Sequence, residues 1–428
     1  MAEIKPFKGL RYTEKAGEIK MLCCPPYDIV SKEQRQKLIE KNEHNIIRLE
    51  LPTLETSEDT APYREAGAFL RNWLNDGILK QDEKESLYIY EMAFSAMGKT
   101  HSVKGFVSLV KAEPFEKGVI LPHEETLSKA KTDRFNLMKA TGCNFSQIYS
   151  LYNDSDNSVF SIIEKASESA PDSEFTDDDN VTHRMWIINN EDTIKSITEK
   201  MADKKLYIAD GHHRYETALN YKNYVKDNLD ETGSSEYVTM MLVNMENSGL
   251  VVFPTHRIVR GLQSFDYNSV CEKCAEYFEI TPHLNREKGE IGLENAYKNG
   301  EKAFVMFTGD NNYTLLKLKD SSVMDKLLPD KSKALRQLDV SVLHTLVLER
   351  IFGIDKENMA KQINLTYTRS SDEAISEVDG QRANCCFLLN PTRVSEIRDV
   401  AAAGEKMPQK STYFYPKLTT GLVMNKIF

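Results

Sequence analysis

Hydrophobic positions in the first half of the chain recur with either a two-residue or a helical period, which predicts strands mixed with helices. Apolar residues on either side of a turn at 97–99 predict a hairpin of two strands, 86–96 and 100–111. The helical period, with Ser31 as the N-cap of the earliest helix, predicts helices at 32–41, 62–75, 129–139 and 191–202. This pattern is typical of an α+β domain.

A stretch rich in acidic and small polar residues, 172–180, is predicted to be a solvated loop. Apolar strands follow it at 185–189, 206–209, 238–244 and 250–253, the last two predicted as a pair. A helix at 340–352, ended by Gly353, and a strand at 385–389 are assigned to a second α/β unit. The sequence therefore predicts an N-terminal α+β domain, 1–262, and a C-terminal α/β domain, 263–428, whose tail is expected to pack back on the core.

Composition narrows the class of protein. A chain of 428 residues is too long for one ordinary domain, and 40% hydrophobic residues supply enough apolar material for buried cores. The net charge of −10 weighs against a general nucleic-acid binder, which needs basic patches to neutralise phosphates. No apolar run approaches the roughly 18–20 residues that span a bilayer, and the first residues lack a signal-peptide core, so we expect a cytoplasmic protein with no membrane partner.

The seven cysteines do not predict a metal or disulfide framework. An odd number with two adjacent pairs suits a reducing compartment. Cys271 and Cys274 have a spacing found in zinc sites, but no second pair of ligands lies near them in sequence. We predict that they share one face of a helix.

The most informative segment of the chain is Asp210-Gly211-His212-His213-Arg214. A predicted strand leads into it and a helix, 214–221, follows. A strand that ends in glycine and opens a helix presents backbone N–H groups and the positive end of the helix dipole to an anion. Arg214 adds a guanidinium fork for a phosphate or carboxylate, and Asp210 is placed to orient a histidine or to hold Mg²⁺. The segment is predicted to hold a phosphate; the alternative is a capped helix with surface histidines.

Other segments also combine charged and rigid residues. His123, Glu124 and Glu125 lie in a loop next to Pro122, which suits a general base or a Mg²⁺ ligand, or simply a solvated loop. A helix after this loop would place Lys129, Lys131 and Arg134 near one face. The remaining candidates are Tyr27 and Asp28 after two prolines, His256 and Arg257 directly after a predicted strand, and Lys410 and Lys417 in a tail too specific in composition to be an ordinary terminus.

Together these segments resemble a known family. Residues 25–28, 121–124, 210–214, 254–257 and 407–417 are similar to the family of proteins of unknown function called DUF1015, and the resemblance extends over almost the whole chain. Over a shorter stretch, the Asp-Gly-His-His-Arg segment resembles the turn of the ParB/sulfiredoxin-like fold. This second resemblance implies a nucleotide-binding core of that fold, with Gly211, His212, His213 and Arg214 against the phosphates.

The turn distinguishes the branches of that superfamily. Sulfiredoxins need a cysteine within the turn, where this chain has His212 and His213. Partition proteins carry a DNA-reading helix-turn-helix, and neither the acidic charge nor the pattern of this chain supports one. The free-serine kinases share Asp-Gly-His-His-Arg and use a glutamate as the base. The resemblance therefore implies a kinase that uses ATP or ADP with Mg²⁺ and phosphorylates a small hydroxyl metabolite, with free L-serine as the leading candidate.

From the residues themselves we assign Glu124 as the base. The full prediction has Glu124, Asp210 and His213 as catalytic residues, Asp210 as the metal ligand, and His123, His256, Arg257 and Lys410 as substrate-binding residues. One alternative is a non-catalytic nucleotide-binding regulator. The other is a phosphohydrolase with Asp210, His212 and His213 as metal ligands.

Overall fold

A computed structural model describes residues 1–54, 60–124, 126, 128–229 and 233–428, which divide into two compact units. The first unit comprises Met1–Pro122, Thr126–Val251 and Pro416–Phe428, and the second comprises Val252–Tyr415 with the short segment at His123. The sequence placed the boundary after residue 262. In the structure the chain changes unit within the strand Val251–Phe253, and the final segment, Pro416–Phe428, belongs to the first unit.

The first unit is built on a large mixed sheet. In chain order its strands are β1 (Ile4–Lys5), β2 (Leu87–Ala96), β3 (Lys99–Lys111), β4 (Ile120–Leu121), β5 (Ile148–Tyr152), β6 (Ser173–Thr176), β7 (Thr182–Ile188), β8 (Leu206–Asp210) and β9 (Tyr237–Asn244). Their order across the sheet is β4-β8-β5-β9-β3-β2-β7-β6, with β1 on β3. The pairs β4–β8 and β5–β9 are parallel and the others antiparallel, which agrees with the predicted α+β class.

Helices of the first unit pack on this sheet and on a second apolar cluster. They are Ile19–Leu22, Lys32–Lys41, Ile47–Glu50, Ala61–Asn75, Ser128–Thr141, Ser158–Ala166, Glu191–Met201 and His212–Asn228. The sheet core joins Ile89 and Phe106 of the hairpin to Ile163 and Ile197 of two helices. Two short ribbons pair Leu10–Tyr12 with Leu79–Gln81 and Asn425–Lys426 with Cys143–Asn144.

Local signals in the sequence explain several of these boundaries. Helix Lys32–Lys41 begins where predicted, because the Ser31 side chain accepts from the Gln34 backbone while the Gln34 side chain accepts from the Ser31 backbone. The hairpin β2–β3 is confirmed, with left-handed Met97 and Gly98 forming its turn. The helices predicted at 62–75, 129–139 and 191–202 are also present.

Two predictions for the first unit were wrong. Part of the predicted loop, 172–180, is strand β6, because Phe175 is buried and stacks on His183 with ring centroids 4.8 Å apart. The predicted strand pair 238–244 and 250–253 does not form. Strand β9 already has β5 and β3 on its two edges, so Val251–Phe253 pairs instead with Tyr413–Tyr415.

The second unit contains an antiparallel sheet. Its strands are β10 (His256–Val259), β11 (Phe278–Leu284), β12 (Ala303–Phe307), β13 (Tyr313–Leu318), β14 (Leu365–Thr368) and β15 (Cys385–Leu389), in the order β11-β13-β12-β15-β10-β14. Every neighbouring pair is antiparallel, so this unit is α+β rather than the predicted α/β. Its helices are Tyr267–Cys274, Arg286–Lys298, Ser322–Leu327, Lys333–Arg336, Asp339–Val342, Lys356–Lys361, Ser371–Asp379 and Val394–Ala402.

The predicted helix at 340–352 has an irregular form. It starts as the short α-helix Asp339–Val342 and continues as a π-helix, Leu343–Glu349, before Gly353 takes a left-handed conformation. A π-helix inside an α-helical run is rare and is often found at functional sites. None of the helices in the described ranges is long and apolar enough to cross a membrane.

Candidate functional site

The Asp-Gly-His-His-Arg turn joins strand β8 to the longest helix of the first unit. Strand β8 ends at Asp210, Gly211 adopts a left-handed conformation (φ 94°, ψ 27°), and helix His212–Asn228 begins at the next residue. Because glycine occupies the N-cap, no side chain caps the first turn of this helix. A helix N-terminus of this kind suits an anion, and its use as an anion site stays a prediction.

Gly211 is required for two reasons. Its φ lies in the region that side chains with a Cβ avoid. A Cβ at this position would also stand 3.0 Å from both Nε and Nη2 of Arg214, because the guanidinium lies against the Gly211 backbone.

Arg214 is buried and holds two partners. Its Nη2 donates to Oδ2 of Asp210 at 2.8 Å, and its Nη1 donates to the backbone carbonyl of Gln147. The other carboxylate oxygen of Asp210 accepts from Nζ of Lys417 at 2.6 Å. Burial raises the pKa of Asp210, but the charges of Lys417 and then Arg214 outweigh burial and hold the pKa at about 2. The three side chains thus form an ion-pair triad with a net charge of +1.

This triad bears on the roles predicted for its members. Arg214 faces Asp210 and a carbonyl, so its first task is to fix the turn. A divalent cation at Asp210 would meet Lys417 and Arg214, each within hydrogen-bonding distance of the same carboxylate, and this donor set does not fit Mg²⁺. Nor do the described residues contain any group of three His, Cys, Asp or Glu side chains placed to hold a metal.

A second buried charge cluster lies in the same unit. Arg134, on helix Ser128–Thr141, donates from Nε to Oδ2 of Asp133 at 2.7 Å, and its Nη1 lies 3.3 Å from Oε1 of Glu50. The Tyr27 ring packs 3.9 Å from the Arg134 guanidinium, and the Tyr63 hydroxyl donates to Asp133 at 2.7 Å. Burial raises the pKa of Glu50, although Arg134 and a hydrogen bond from Ser146 oppose this.

A small cavity of about 30 Å³ connects the two clusters. Glu50, Arg134 and Ser146 line it together with Arg214 and Thr217. Tyr27 of the proline-rich segment is therefore part of the buried surroundings of the turn, whereas Asp28 is exposed.

Sequence reasoning missed Glu50, Asp133 and Gln147. One signal was available for Glu50, a carboxylate inside the apolar run 46–51. Asp133 and Gln147 gave no such signal, because their partners are distant in sequence.

The cations predicted after the loop at His123 do not all belong to one cluster: Arg134 lies in the buried cluster described above, and Lys131 has a different partner. Lys131 donates to Oε2 of Glu216 at 2.7 Å, and the Thr126 hydroxyl donates to the same oxygen at 2.8 Å. Lys131 thus has a carboxylate partner of its own. The side chain of Lys129 and the whole of Glu125 lie outside the described residues.

The predicted base and substrate residues belong to the second unit. These are His123, Glu124, His256, Arg257 and Lys410, whereas Asp210, Gly211, His212, His213 and Arg214 belong to the first. His123 is buried, its Nε2 is hydrogen-bonded to the Thr412 hydroxyl at 2.9 Å, and its carbonyl accepts from the Met407 backbone. Lys410 is exposed in a left-handed conformation (φ 56°). Their assignment as site residues stays a prediction.

His256 and Arg257 follow the strand Val251–Phe253, as predicted, but they begin a further strand. They lie within β10 and are buried. Nδ1 of His256 accepts from the Leu389 backbone at 3.2 Å, and burial together with Arg257 lowers the pKa of His256 to about 4. His256 is therefore neutral and ties β10 to β15.

Comparisons with solved structures show only distant likeness. A free serine kinase variant in complex with AMP is 13% identical, with 73% of this chain and 91% of that chain covered at a TM-score of 0.36. For a conserved hypothetical protein from Pyrococcus furiosus these values are 16%, 73%, 94% and 0.33, and for C-terminally truncated SbnI from Staphylococcus aureus 12%, 75%, 87% and 0.35. Likeness at this level does not establish a shared fold, so the ParB/sulfiredoxin-like core stays a prediction.

Comparison with curated proteins found no match. The family model described as "Protein of unknown function (DUF1015)" matches residues 4–341. The tail at 407–417, which contributed to the resemblance in the sequence, lies beyond that match. Because the matched residues are well over half of the chain, this protein belongs to the DUF1015 family.

Proposed function

We propose that this protein is a nucleotide-dependent kinase that transfers a phosphoryl group to the hydroxyl of a small metabolite, most simply free L-serine. The observation that carries the proposal is the turn itself: a helix of 17 residues starts from a left-handed glycine, with the Asp210–Arg214–Lys417 triad beside it. Such a turn suits the phosphates of ATP or ADP.

In this proposal each element of the turn has a physical task. The first-turn N–H groups bind the nucleotide phosphates, and His212 and His213 add side-chain donors. The net charge of +1 on the triad favours a polyanion, and Asp210 keeps Arg214 in place. Phosphoryl transfer depends chiefly on positioning and charge stabilisation, which a rigid cationic turn supplies.

Glu124 is the proposed acceptor of the proton from the substrate hydroxyl. The support for Glu124 is chemical: a carboxylate is a suitable general base, and the neighbouring His123 is fixed by its hydrogen bond to Thr412. His123, His256, Arg257 and Lys410 stay candidates for substrate contacts. No step is assigned to a metal at Asp210.

The second candidate is a regulator that binds a nucleotide without turnover. It is favoured by the state of Asp210, whose two oxygens are both engaged by cations, so that the turn offers no carboxylate for chemistry. The hypothesis of a phosphohydrolase ranks below the kinase and the regulator, because it needs a group of metal ligands around Asp210 that the described residues do not form.

The test is to incubate the protein with Mg²⁺, ATP or ADP and a panel of free amino acids and small alcohols, with products read by ³¹P NMR. A phosphomonoester that requires serine is the expected product. Arg214→Ala should lower turnover by about a hundredfold, while Arg71→Ala, at an exposed arginine of the same unit, should not. Nucleotide binding without any product across the panel would favour the regulator, and normal turnover by Arg214→Ala would contradict the assigned turn.

A further inference from the structure

A buried arginine in the second unit has a charge that its neighbours do not balance. Arg257 points from β10 into the interior, and only 1% of its surface is exposed. Burial lowers the pKa of Arg257 to about 10, so the guanidinium is still protonated at neutral pH. A buried cation of this kind normally has an anionic partner.

The protein groups that contact the Arg257 guanidinium are all neutral. Nη1 donates to the Thr255 carbonyl, Nε donates to Nε2 of His344 at 3.4 Å, and the Tyr367 ring lies 5.3 Å away. Burial and Arg257 keep the pKa of His344 well below its ordinary value, so His344 carries no charge. Nη2 has no hydrogen-bond partner, and Arg257 forms no ion pair within the described part of the chain.

Arg257 lines a small polar cavity. Thr255, Asn390, Thr392 and Ser411 contribute to the walls, as do the carboxyl groups of Asp339 and Glu396. The cavity volume of about 10 Å³ admits a group of about the size of one water molecule. The site is thus too tight for a phosphate but of the right scale for a halide ion or for the oxygens of a carboxylate.

The two carboxyl groups of the cavity have their own cation. Nζ of Lys302 lies 2.9 Å from Glu396 and 3.7 Å from Asp339. Burial raises the pKa of Asp339 to about 7, because Lys302 compensates it only in part. Oδ1 of Asp339 has no hydrogen-bond partner of its own, but neither Asp339 nor Glu396 forms an ion pair with Arg257 among the described residues.

The irregular helix of this unit reaches the same place. His344 lies in the π-helix Leu343–Glu349, where the widened turn accompanies its contact with Nε of Arg257. Widened turns of this kind recur at functional sites. The backbone irregularity and the unbalanced charge are two separate observations that meet at the contact between His344 and Arg257.

We propose that this cavity is a binding site for a small monovalent anion, either a halide such as chloride or the carboxylate of a small metabolite, held by Nη2 of Arg257. A water molecule would satisfy the hydrogen bond of Nη2 but would not supply the missing negative charge. The site is distinct from the proposed nucleotide turn, and the proposal does not rest on kinase activity.

Thermal unfolding of the full chain without nucleotide tests this proposal. At constant ionic strength, chloride, bromide and formate are each exchanged for gluconate, which is too large to enter. A bound anion stabilises the folded state by mass action, so we expect the midpoint to rise by several degrees and to saturate. A saturable rise with halides alone identifies an ion site, and a rise with formate alone identifies a carboxylate site.

Variants locate the effect. Arg257→Met should lose the anion-dependent shift, and Arg257→Lys should keep part of it. Arg260→Met serves as the control, because Arg260 is a half-buried arginine just after the same strand whose Nη2 donates to Thr366. No saturable shift in the original protein, or an equal shift in Arg257→Met, would overturn the site.

A second measurement covers the case in which Arg257→Met does not fold. Crystals of the original protein grown with bromide should show an anomalous peak within about 3.5 Å of Nη2 of Arg257. If the unfolding midpoint responds to bromide and the bromide lies elsewhere, the proposal is wrong.

Discussion

At the residue scale, replacing Gly211 by alanine should both strain the backbone and disturb the contact with Arg214. A second glycine allows the two effects to be measured separately. Gly118 of the same unit is also left-handed, with φ 63° and ψ 22°, but no atom lies within 4 Å of a Cβ placed there, so Gly118→Ala measures strain alone. We expect it to cost about 1–2 kcal/mol in urea unfolding. Gly211→Ala should cost more, because its Cβ displaces Arg214 from Asp210, and it should also weaken nucleotide binding. Equal costs for the two variants would mean that Arg214 adapts freely.

The ionisation of Asp210 predicts a dependence of stability on pH. Its pKa falls from an ordinary value of 3.8 to about 2 in the fold, so the carboxylate stabilises the folded state fully above pH 4. That contribution, on the order of 2 kcal/mol, is lost as the pH falls from about 4 to about 2. Asp210→Asn should therefore lose less stability than the original protein over this window. Asp227→Asn, at an exposed position of the same helix, should behave like the original protein.

At the element scale, the final segment Pro416–Phe428 forms part of the first unit. Thr420 and Cys24 exchange two backbone hydrogen bonds, of 2.8 and 3.1 Å, and Leu418, Leu422 and Met424 are buried. We expect deletion of residues 416–428 to lower the melting temperature and the nucleotide affinity together, because the segment both fills the core and supplies Lys417.

Single substitutions within this segment separate the two effects. Lys417→Met should weaken nucleotide binding with a smaller loss of melting temperature, because only one side chain is removed and the rest of the segment stays in place. Lys426→Met, in the same segment, should leave binding unchanged. Calorimetric titration with ATP and thermal unfolding provide the two readouts. Equal losses of binding in the two lysine variants would show that Lys417 has no special place at the turn.

Elements that depend on local signals were predictable, and elements that depend on distant partners were not. The capping box at Ser31 and the hairpin turn at 97–99 are encoded within a few residues. Strand β6 was missed because its acidic composition hid Phe175, whose burial depends on its contact with His183. A hydrophobic pattern also does not distinguish an α-helix from the π-helix Leu343–Glu349, since both place apolar residues on an inner face.

The same distinction holds at the candidate site. The strand, the glycine and the helix of the turn were all predicted from adjacent residues. The engagement of Asp210 was not, because its partner Lys417 lies 207 residues further along the chain. Without Lys417, Asp210 appears as a free carboxylate suited to Mg²⁺; with Lys417 and Arg214 beside it, the same residue becomes the centre of an ion-pair triad.

At the scale of the whole molecule, the distribution of charge should favour a nucleotide over duplex DNA as the ligand. The chain carries a net charge of −10, whereas the triad beside the turn has a local charge of +1. A nucleotide meets only the local charge, but a DNA duplex extends over a large part of the surface and meets the overall one. The protein is therefore expected to bind a nucleotide and not to bind duplex DNA.

Fluorescence anisotropy with labelled ATP and with a labelled duplex tests this expectation at two salt concentrations, about 50 mM and about 200 mM. Sodium gluconate is the appropriate salt, because it leaves the cavity at Arg257 unloaded. Nucleotide affinity should fall by less than about tenfold, since few charges are involved, and no duplex binding should appear at either concentration. Tight duplex binding with a steep loss between the two concentrations would instead place a basic surface on this acidic chain and would make nucleic acid the natural partner of the turn.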